Sequence, residues 1–151
     1  MVNGGLHHLV GWEDLLLRNN GAGRFEDASR DGGDHFETRA IGRSSITGDY
    51  DNDGDIDLFV TSLDGRHYLL RNDHKTEDSW ITLDLVGRDG RDAFGARVEV
   101  VAGGRTQVAE SRCPTGYLGQ SDPRLHFGLG AGVEIIDRIG ITWPDGSRQA
   151  R

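Results

Sequence analysis

Five aspartates alternate along a stretch of nine residues, and their spacing predicts a calcium site. They are Asp49, Asp51, Asp53, Asp55 and Asp57. A hard divalent cation such as Ca²⁺ takes about six to eight oxygen ligands, and a loop that curls once around the ion directs alternate side chains inward. Residues 49–57 are therefore predicted to form a calcium loop.

The position of each aspartate predicts its role in the loop. The side chains of Asp49, Asp51 and Asp53 are expected to bind the ion from the first part of the turn. Asp57 is expected to close the site, and Asp55 to contribute its backbone carbonyl while its side chain stays in solvent. Gly54, the sixth residue, permits a sharp bend because glycine adopts positive φ without steric cost.

Two alternatives compete with this interpretation. An EF-hand shares the first positions of the spacing, but it requires a bidentate Glu at the twelfth position and flanking helices. Val60 occupies that position, and residues 55–61 alternate and then become β-branched and aromatic, which predicts a strand. A solvated acidic turn without metal is the other alternative, although mutual repulsion of the aspartates favours a bound cation.

The composition of the chain predicts an all-β protein. Of its 151 residues 23 are glycine, and no long stretch has the apolar spacing of an amphipathic helix. The formal net charge of −8 opposes binding to nucleic acid phosphates, so we expect no nucleic acid partner. No apolar run reaches the length of about 18 residues that a membrane-spanning helix needs.

A repeated string in the first half of the chain predicts propeller blades. Leu16-Leu17-Arg18-Asn19-Asn20 recurs as Leu69-Leu70-Arg71-Asn72-Asp73. A period of about 50 residues is typical of propellers or solenoids. Between the copies we predict strands near 44–47 and 56–62 and a turn at Asp64-Gly65, and after the first copy a hairpin through Gly21-Ala22-Gly23. Residues 1–73 are thus interpreted as a partial β-propeller of about one to one and a half blades.

A charged linker at 74–79 is predicted to lead into a second, β-rich, sandwich-like domain at 80–151. Its strands are expected at 81–85, 96–101, 106–110 and 139–143, with turns at Gly103-Gly104 and at Pro144-Asp145-Gly146. The last residues resemble the start of another strand, so we expect this domain to continue beyond Arg151. We likewise expect further propeller blades upstream of residue 1.

The other reactive side chains favour structural roles. Cys113 is the only cysteine and is expected to be a buried thiol. His7 and His8 are expected on a solvated terminus. His126, within the strand pattern of 125–129, is predicted to be a hydrogen-bonded structural histidine.

The chain carries no serine elbow, phosphate-cradling loop or HExxH pattern, and we expect a non-catalytic protein. A hydrolase built from the crowded aspartates is the weaker alternative, because a general acid needs a carboxyl group set apart from its neighbours. A glycan-binding module is another alternative. Trp12, Trp80 and Trp143 could form a stacking platform if any two lay side by side on an exposed face.

Two sets of motifs resemble known families. Residues 48–60, followed by Leu70-Arg71-Asn72, resemble an FG-GAP or VCBS-type repeat, the calcium-loop blade of integrin-α-like β-propellers. The second half resembles the ASPIC/UnbV domain, which directly follows the propeller in the cartilage acidic protein-like family. Its motifs here are Gly95-Ala96-Arg97-Val98, Gly116-Tyr117-Leu118-Gly119-Gln120-Ser121, Leu125-His126-Phe127-Gly128-Leu129-Gly130 and Trp143-Pro144-Asp145-Gly146.

The resemblance implies a secreted or surface-associated, calcium-binding protein whose partner is another protein or a glycan. The implied location is extracellular, periplasmic or at the cell surface. Residues 1–8 lack the basic and apolar regions of a signal peptide, so the export signal is expected outside this chain. The chain departs from the family pattern at Gly119, where a serine is commoner, and in having far fewer than the roughly seven blades of a complete propeller.

Overall fold

The computed structural model describes residues 10–74, 77–112 and 116–151. Within these ranges the secondary structure consists of short β-strands and short 3₁₀ helices, with no α-helix. The predicted all-β class is confirmed. No helix in the described ranges has the length and apolar character needed to cross a membrane. The predictions for His7, His8 and Cys113 lie outside the described residues.

The chain divides into two compact units that interleave along the sequence. Of the described residues, the first unit contains 10–51, 55–72 and 116–121. The second contains 52–54, 73–74, 77–112 and 122–151.

The first unit is built from small antiparallel sheets. Its strands are β1 (Trp12–Glu13), β2 (Leu17–Asn19), β3 (Phe25–Asp27), β4 (Arg39–Ala40), β5 (Gly42–Gly48), β6 (Asp57–Ser62) and β7 (Tyr68–Leu70). β1 pairs with β4 and β2 with β3, while β5, β6 and β7 form one sheet in chain order. The 3₁₀ helices Ser29–Asp31 and Asp34–Glu37 lie between β3 and β4. The predicted hairpin through Gly21-Ala22-Gly23 is confirmed as the β2–β3 pair.

The second unit contains a larger sheet. Its strands are β8 (Asp78–Leu83), β9 (Arg97–Ala102), β10 (Arg105–Glu110), β11 (Leu125–Ala131), β12 (Ile136–Thr142) and β13 (Arg148–Ala150). Four of them form an antiparallel sheet in the order β10-β9-β12-β13, and β8 pairs with β11. The 3₁₀ helix Arg88–Gly90 precedes β9.

Glycine turns set the strand connections that the sequence predicted. Gly103 and Gly104 have φ of 56° and 73°, the left-handed pair that suits a two-residue hairpin, and they join β9 to β10. At the other predicted turn Gly146 has φ of 83° and donates its N–H to the Trp143 carbonyl at 2.9 Å. Both turns are confirmed.

The apolar core of the second unit follows from period-two alternation. In β9 Val98, Val100 and Ala102 are buried, whereas the residues between them are more exposed. In β11 Leu125, Phe127 and Leu129 are buried in the same way, and the six residues form one hydrophobic cluster. Because successive side chains of a strand face opposite sides of its sheet, alternate residues of each strand face this cluster.

Phe127→Ala is expected to lower the unfolding free energy of the second unit by about 3–5 kcal/mol, because it leaves a cavity in this core. Urea unfolding followed by tryptophan fluorescence and circular dichroism measures the loss. Val108→Ala is the control, since Val108 in β10 is 47% exposed and its truncation should cost less than about 1 kcal/mol. Equal losses for the two variants would show that the cluster is not the core of this unit.

Candidate metal centre

The sheet of the first unit brings the two ends of the acidic loop together. β5 ends at Gly48 and β6 begins at Asp57, and these two residues are directly paired at the end of the antiparallel ladder. Asp49 and Asp57 therefore flank the base of the loop. The pairing of β5 with β6 thus sets the distance between the first and last aspartates of the loop.

Three of the five aspartates converge. A carboxylate oxygen from each of Asp49, Asp51 and Asp57 lies within 4.8 Å of the other two. Asp49 and Asp57 are buried, with 6% and 2% of their surface exposed, whereas Asp51 is at the surface. Carboxylate oxygens are the ligands that Ca²⁺ and Mg²⁺ prefer, so this geometry can hold a divalent cation.

Among the described residues, Asp53 and Asp55 lie outside the converging group. Asp53 is exposed and Asp55 is partly buried. Participation of their side chain or backbone in metal binding stays a prediction. The acidic triad, defined as Asp49, Asp51 and Asp57, is the part of the predicted ligand set that the structure assembles.

Asp57 also organises the backbone around it. Its Oδ2 accepts a hydrogen bond from the backbone N–H of Tyr50 at 3.1 Å, inside the loop. Its Oδ1 accepts one from the backbone N–H of Asn72 at 2.8 Å, just after β7. One buried carboxylate thus joins the loop to the exit of the third strand, while the remaining lone pairs of its oxygens can still face a cation.

The role of Asn72 was missed by sequence reasoning. A signal was present, because Arg71-Asn72 belongs to the string that recurs at Arg18-Asn19. The backbone N–H of Asn72 makes the contact. Every residue except proline has a backbone N–H, so the residue type does not predict this hydrogen bond.

Arg71 supplies positive charge at the edge of the triad. Its Nη1 lies 3.9 Å from Oδ2 of Asp51, and the two side chains are 53% and 26% exposed. An exposed ion pair of this length contributes about 0–1 kcal/mol. This contribution is small beside the repulsion among three carboxylates that lie so close together.

The loop residues 52–54 group with the second unit, where they contact its side chains. Nη1 of Arg124 donates a hydrogen bond to Oδ1 of Asn52 at 3.2 Å. Arg124 also donates from Nε to Asp122 at 2.8 Å. Hydrogen bonds from Arg124 to Asp122 hold the pKa of Asp122 below its usual range.

Gly54 has φ of 98°, and a Cβ there would overlap the indole ring of Trp80. Two independent constraints therefore require glycine at this position.

His126 lies in β11 opposite Thr82 of β8. Its Nδ1 is 3.3 Å from Oγ1 of Thr82, and its ring stacks on Trp80 with centroids 5.8 Å apart. The predicted hydrogen bond is confirmed. In the described part of the chain the ring partner of Trp80 is this histidine rather than a second tryptophan.

Comparison with known proteins identifies a family match in the second half of the chain and relatives that align with most of the chain. Residues 87–151 match the family described as ASPIC and UnbV. Cartilage acidic protein 1 of Mus musculus is 28% identical over 125 residues, which cover 79% of this chain and 19% of that protein. The Homo sapiens protein is 28% identical over 125 residues, covering 79% and 18%. The Xenopus tropicalis protein is 27% identical over 120 residues, covering 76% and 18%.

The chain thus spans about a fifth of the length of the curated relatives it matches. The ASPIC/UnbV part of the resemblance is confirmed by the family match. The FG-GAP or VCBS part stays a prediction.

In chelator Asp57→Asn is expected to have an unfolding free energy about 1–3 kcal/mol lower than that of Asp51→Asn, which relieves the same repulsion among the triad but keeps both acceptor oxygens of Asp57. An asparagine offers one acceptor oxygen in place of two, so one backbone N–H loses its partner. Chemical denaturation in EDTA measures this loss without any contribution from metal. Equal stability of the two variants would remove Asp57 from its proposed structural role.

Gly54→Ala is expected to destabilise the chain by more than about 1 kcal/mol and to shift the emission of Trp80, because backbone strain and overlap with the indole act together. Gly132→Ala is the matched control in the same unit. Gly132 has φ of 72° but open space around its Cβ position, so this variant reports strain alone. A Gly54→Ala loss no larger than that of Gly132→Ala would contradict the contact with Trp80.

Proposed function

We propose that this chain is a calcium-stabilised, non-catalytic recognition module of an extracellular protein. The observation that carries the proposal is the acidic triad, in which three carboxylates converge and two of them are buried. The similarity to ASPIC and UnbV, and to relatives whose name refers to cartilage, supports an extracellular setting. The role of the ion is structural: it fixes the loop between β5 and β6.

Charge supports a bound cation. Burying a carboxylate is costly unless it is paired or hydrogen-bonded, and converging like charges raise that cost. Asp57 accepts two backbone hydrogen bonds, and Arg71 faces Asp51 from the surface. These contacts offset part of the repulsion, and a divalent ion within the triad would offset the rest.

Ligand geometry favours Ca²⁺ over Mg²⁺. Mg²⁺ demands near-ideal octahedral coordination, whereas Ca²⁺ accepts irregular shells of about six to eight oxygens. The triad would supply three ligands, and the side chain of Asp53, the backbone carbonyl of Asp55 and water would complete the shell. In this proposal the five-aspartate set is assembled fully only when the ion is bound.

The three-stranded sheet β5-β6-β7 is proposed to be part of a propeller blade of the FG-GAP or VCBS type. The loop between its first two strands carries the acidic residues, as the resemblance implies. The second unit, with its alternating inward residues on β9 and β11, is proposed to be a sandwich-like ASPIC/UnbV domain. Further blades upstream would cover the sheet edges that a lone blade exposes.

The proposed affinity connects the site to its compartment. Extracellular calcium modules bind with Kd of about 10⁻⁴ to 10⁻³ M, so cytosolic calcium would leave the loop empty. An ion that binds only the folded state at about ten times its Kd adds about 1.4 kcal/mol of stability. For a unit of fewer than about 100 residues that gain corresponds to roughly 6–11 °C in melting temperature.

Millimolar Ca²⁺ is expected to raise the melting temperature of the chain by roughly 5 °C or more over EDTA, with a smaller effect of Mg²⁺. Asp51→Asn should abolish the rise because it removes one converging carboxylate without emptying a buried position. Asp34→Asn, which also removes one negative charge from the first unit, should retain it. Differential scanning calorimetry of the three proteins makes the comparison.

Two further variants test the completed shell. Asp53→Ala should abolish the calcium-dependent rise, whereas Asp55→Ala should keep most of it because only the backbone oxygen of Asp55 is assigned as a ligand. Terbium luminescence sensitised by Tyr50, which lies within the loop, gives a direct binding signal that Ca²⁺ should displace. A rise that persists in Asp51→Asn, or terbium emission equal in Asp51→Asn and Asp34→Asn, would refute the site.

A further inference from the structure

We propose that a second site, in the second unit, binds a neutral saccharide in a cavity of about 580 Å³. The cavity lies between the segment that enters β9 and the turn that joins β12 to β13. Its lining residues fall within 86–93 and 143–147. None of them belongs to the acidic triad, so the proposal does not rest on calcium binding.

The sheet places the two walls of the cavity side by side. Thr142, the last residue of β12, is paired with Arg97, the first residue of β9. Trp143 therefore follows β12 at the end of the sheet where the chain enters β9. The segment before β9 and the turn after β12 must meet at that end, whatever their side chains.

Hydrogen bonds fix the segment before β9. The backbone N–H of Gly87 donates to the Arg91 carbonyl at 2.8 Å, and Val86 and Asp92 form an antiparallel bridge. Asp89, between them, adopts left-handed φ of 59°. This wall of the cavity is thus a closed turn rather than an extended loop.

The opposite wall is fixed in the same way. Trp143 donates its backbone N–H to the Ser147 carbonyl at 2.9 Å, which closes the turn through Pro144, Asp145 and Gly146. A Cβ at Gly95 would lie 3.7 Å from the ring of Pro144. The motif at 95–98 and the motif at 143–146 therefore pack together here. Because both walls are ordered before a ligand arrives, binding would cost little conformational entropy.

The lining combines an apolar surface with charged groups. Trp143, Pro144, Val86 and Ala93 supply the apolar part. The charged side chains are those of Arg88, Arg91, Asp89, Asp92 and Asp145. A sugar ring has an apolar face that stacks on an indole and hydroxyl groups that both donate to carboxylates and accept from guanidinium groups. The volume lies within the range of about 300–1,000 Å³ of small-molecule sites.

Asp145 is held as a hydrogen-bond acceptor. The backbone N–H of Ser147 donates to its Oδ1 at 2.9 Å, and the Ser147 hydroxyl donates to the same oxygen. These hydrogen bonds hold the pKa of Asp145 below its usual range. Arg88 lies 3.7 Å from Oδ2 of Asp145, so the pair presents adjacent donor and acceptor groups, as vicinal hydroxyls require.

Charge selects among saccharides. The lining has three aspartates and two arginines, and one of those arginines already faces Asp145. The chain as a whole carries a net charge of −8. Sulfated or carboxylated glycans would be repelled over the whole surface, whereas neutral hexoses and N-acetylhexosamines would not.

The test uses the full chain and a panel of neutral di- to tetrasaccharides of glucose, mannose, galactose and N-acetylglucosamine. Saturation-transfer NMR followed by titration calorimetry should find at least one that binds saturably with Kd below about 10 mM. The same affinity is expected in Ca²⁺ and in EDTA if the second unit stays folded, which separates this result from the calcium experiment. A heparin-derived tetrasaccharide should bind more weakly.

Variants assign the binding to the cavity. Trp143→Ala should weaken binding about tenfold or more through loss of stacking, while Trp12→Ala in the first unit should leave it unchanged. Asp89→Asn should fold, because asparagine also tolerates the left-handed φ of this position. It should still weaken binding, because it removes a charged hydrogen-bond acceptor. The proposal is overturned if no panel member binds, if only the sulfated probe binds, or if Asp89→Asn and a folded Trp143→Ala or Trp143→Phe bind like the unmodified chain.

Discussion

The buried carboxylate of Asp57 is the interaction on which the first unit depends. It is 2% exposed and accepts backbone hydrogen bonds from Tyr50 in the loop and Asn72 after β7. The buried apolar residues of this unit within the described ranges are few: Ala28, Phe36, Ala40 and Val60. Buried polar side chains take a larger share here, including Asp14 and His35, which lie 3.1 Å apart. Directional polar contacts thus stabilise this unit, and each of them is lost when one of its two partners is removed.

The same carboxylate creates an electrostatic difficulty. To join the loop to β7, Asp57 must be buried, and the pairing of Gly48 with Asp57 then brings Asp49 beside it. Asp51 adds a third converging carboxylate. Hydrogen bonds can satisfy the lone pairs of Asp57, but they do not remove the repulsion among the three groups. In the proposed function a cation resolves this conflict, so the stability of the unit and the occupancy of the site are thermodynamically linked.

Local patterns predicted the strands, whereas contacts between distant segments escaped prediction. Alternation along β9, the Gly103-Gly104 turn and the Pro144-Asp145-Gly146 turn follow from neighbouring residues alone. Residues 116–121 instead join the first unit, where Thr47 donates its backbone N–H to Oγ of Ser121 at 3.1 Å. A Cβ at Gly119 would lie 2.8 Å from Oγ of Ser44 and 3.2 Å from the side chain of Ile46, so the serine that the resemblance expects would require these side chains to shift. Such close approaches depend on long-range packing that periodicity does not encode. The contact of Asn52 is of the same kind, because it accepts a hydrogen bond from Arg124, far away in sequence.

An apolar core, rather than buried polar contacts, stabilises the second unit. Val98, Val100 and Phe127 lie in a continuous apolar cluster, whose contribution scales with buried area and needs no ion. Its charged residues can therefore remain at the surface, and Arg88, Asp89 and Asp145 surround a cavity without serving the core. Since the turns at 87–91 and 143–147 are closed by backbone hydrogen bonds, side chains on them can vary without loss of the fold. In the proposed function, a second unit with an ion-independent core would keep its fold under conditions in which the first unit loses its calcium ion.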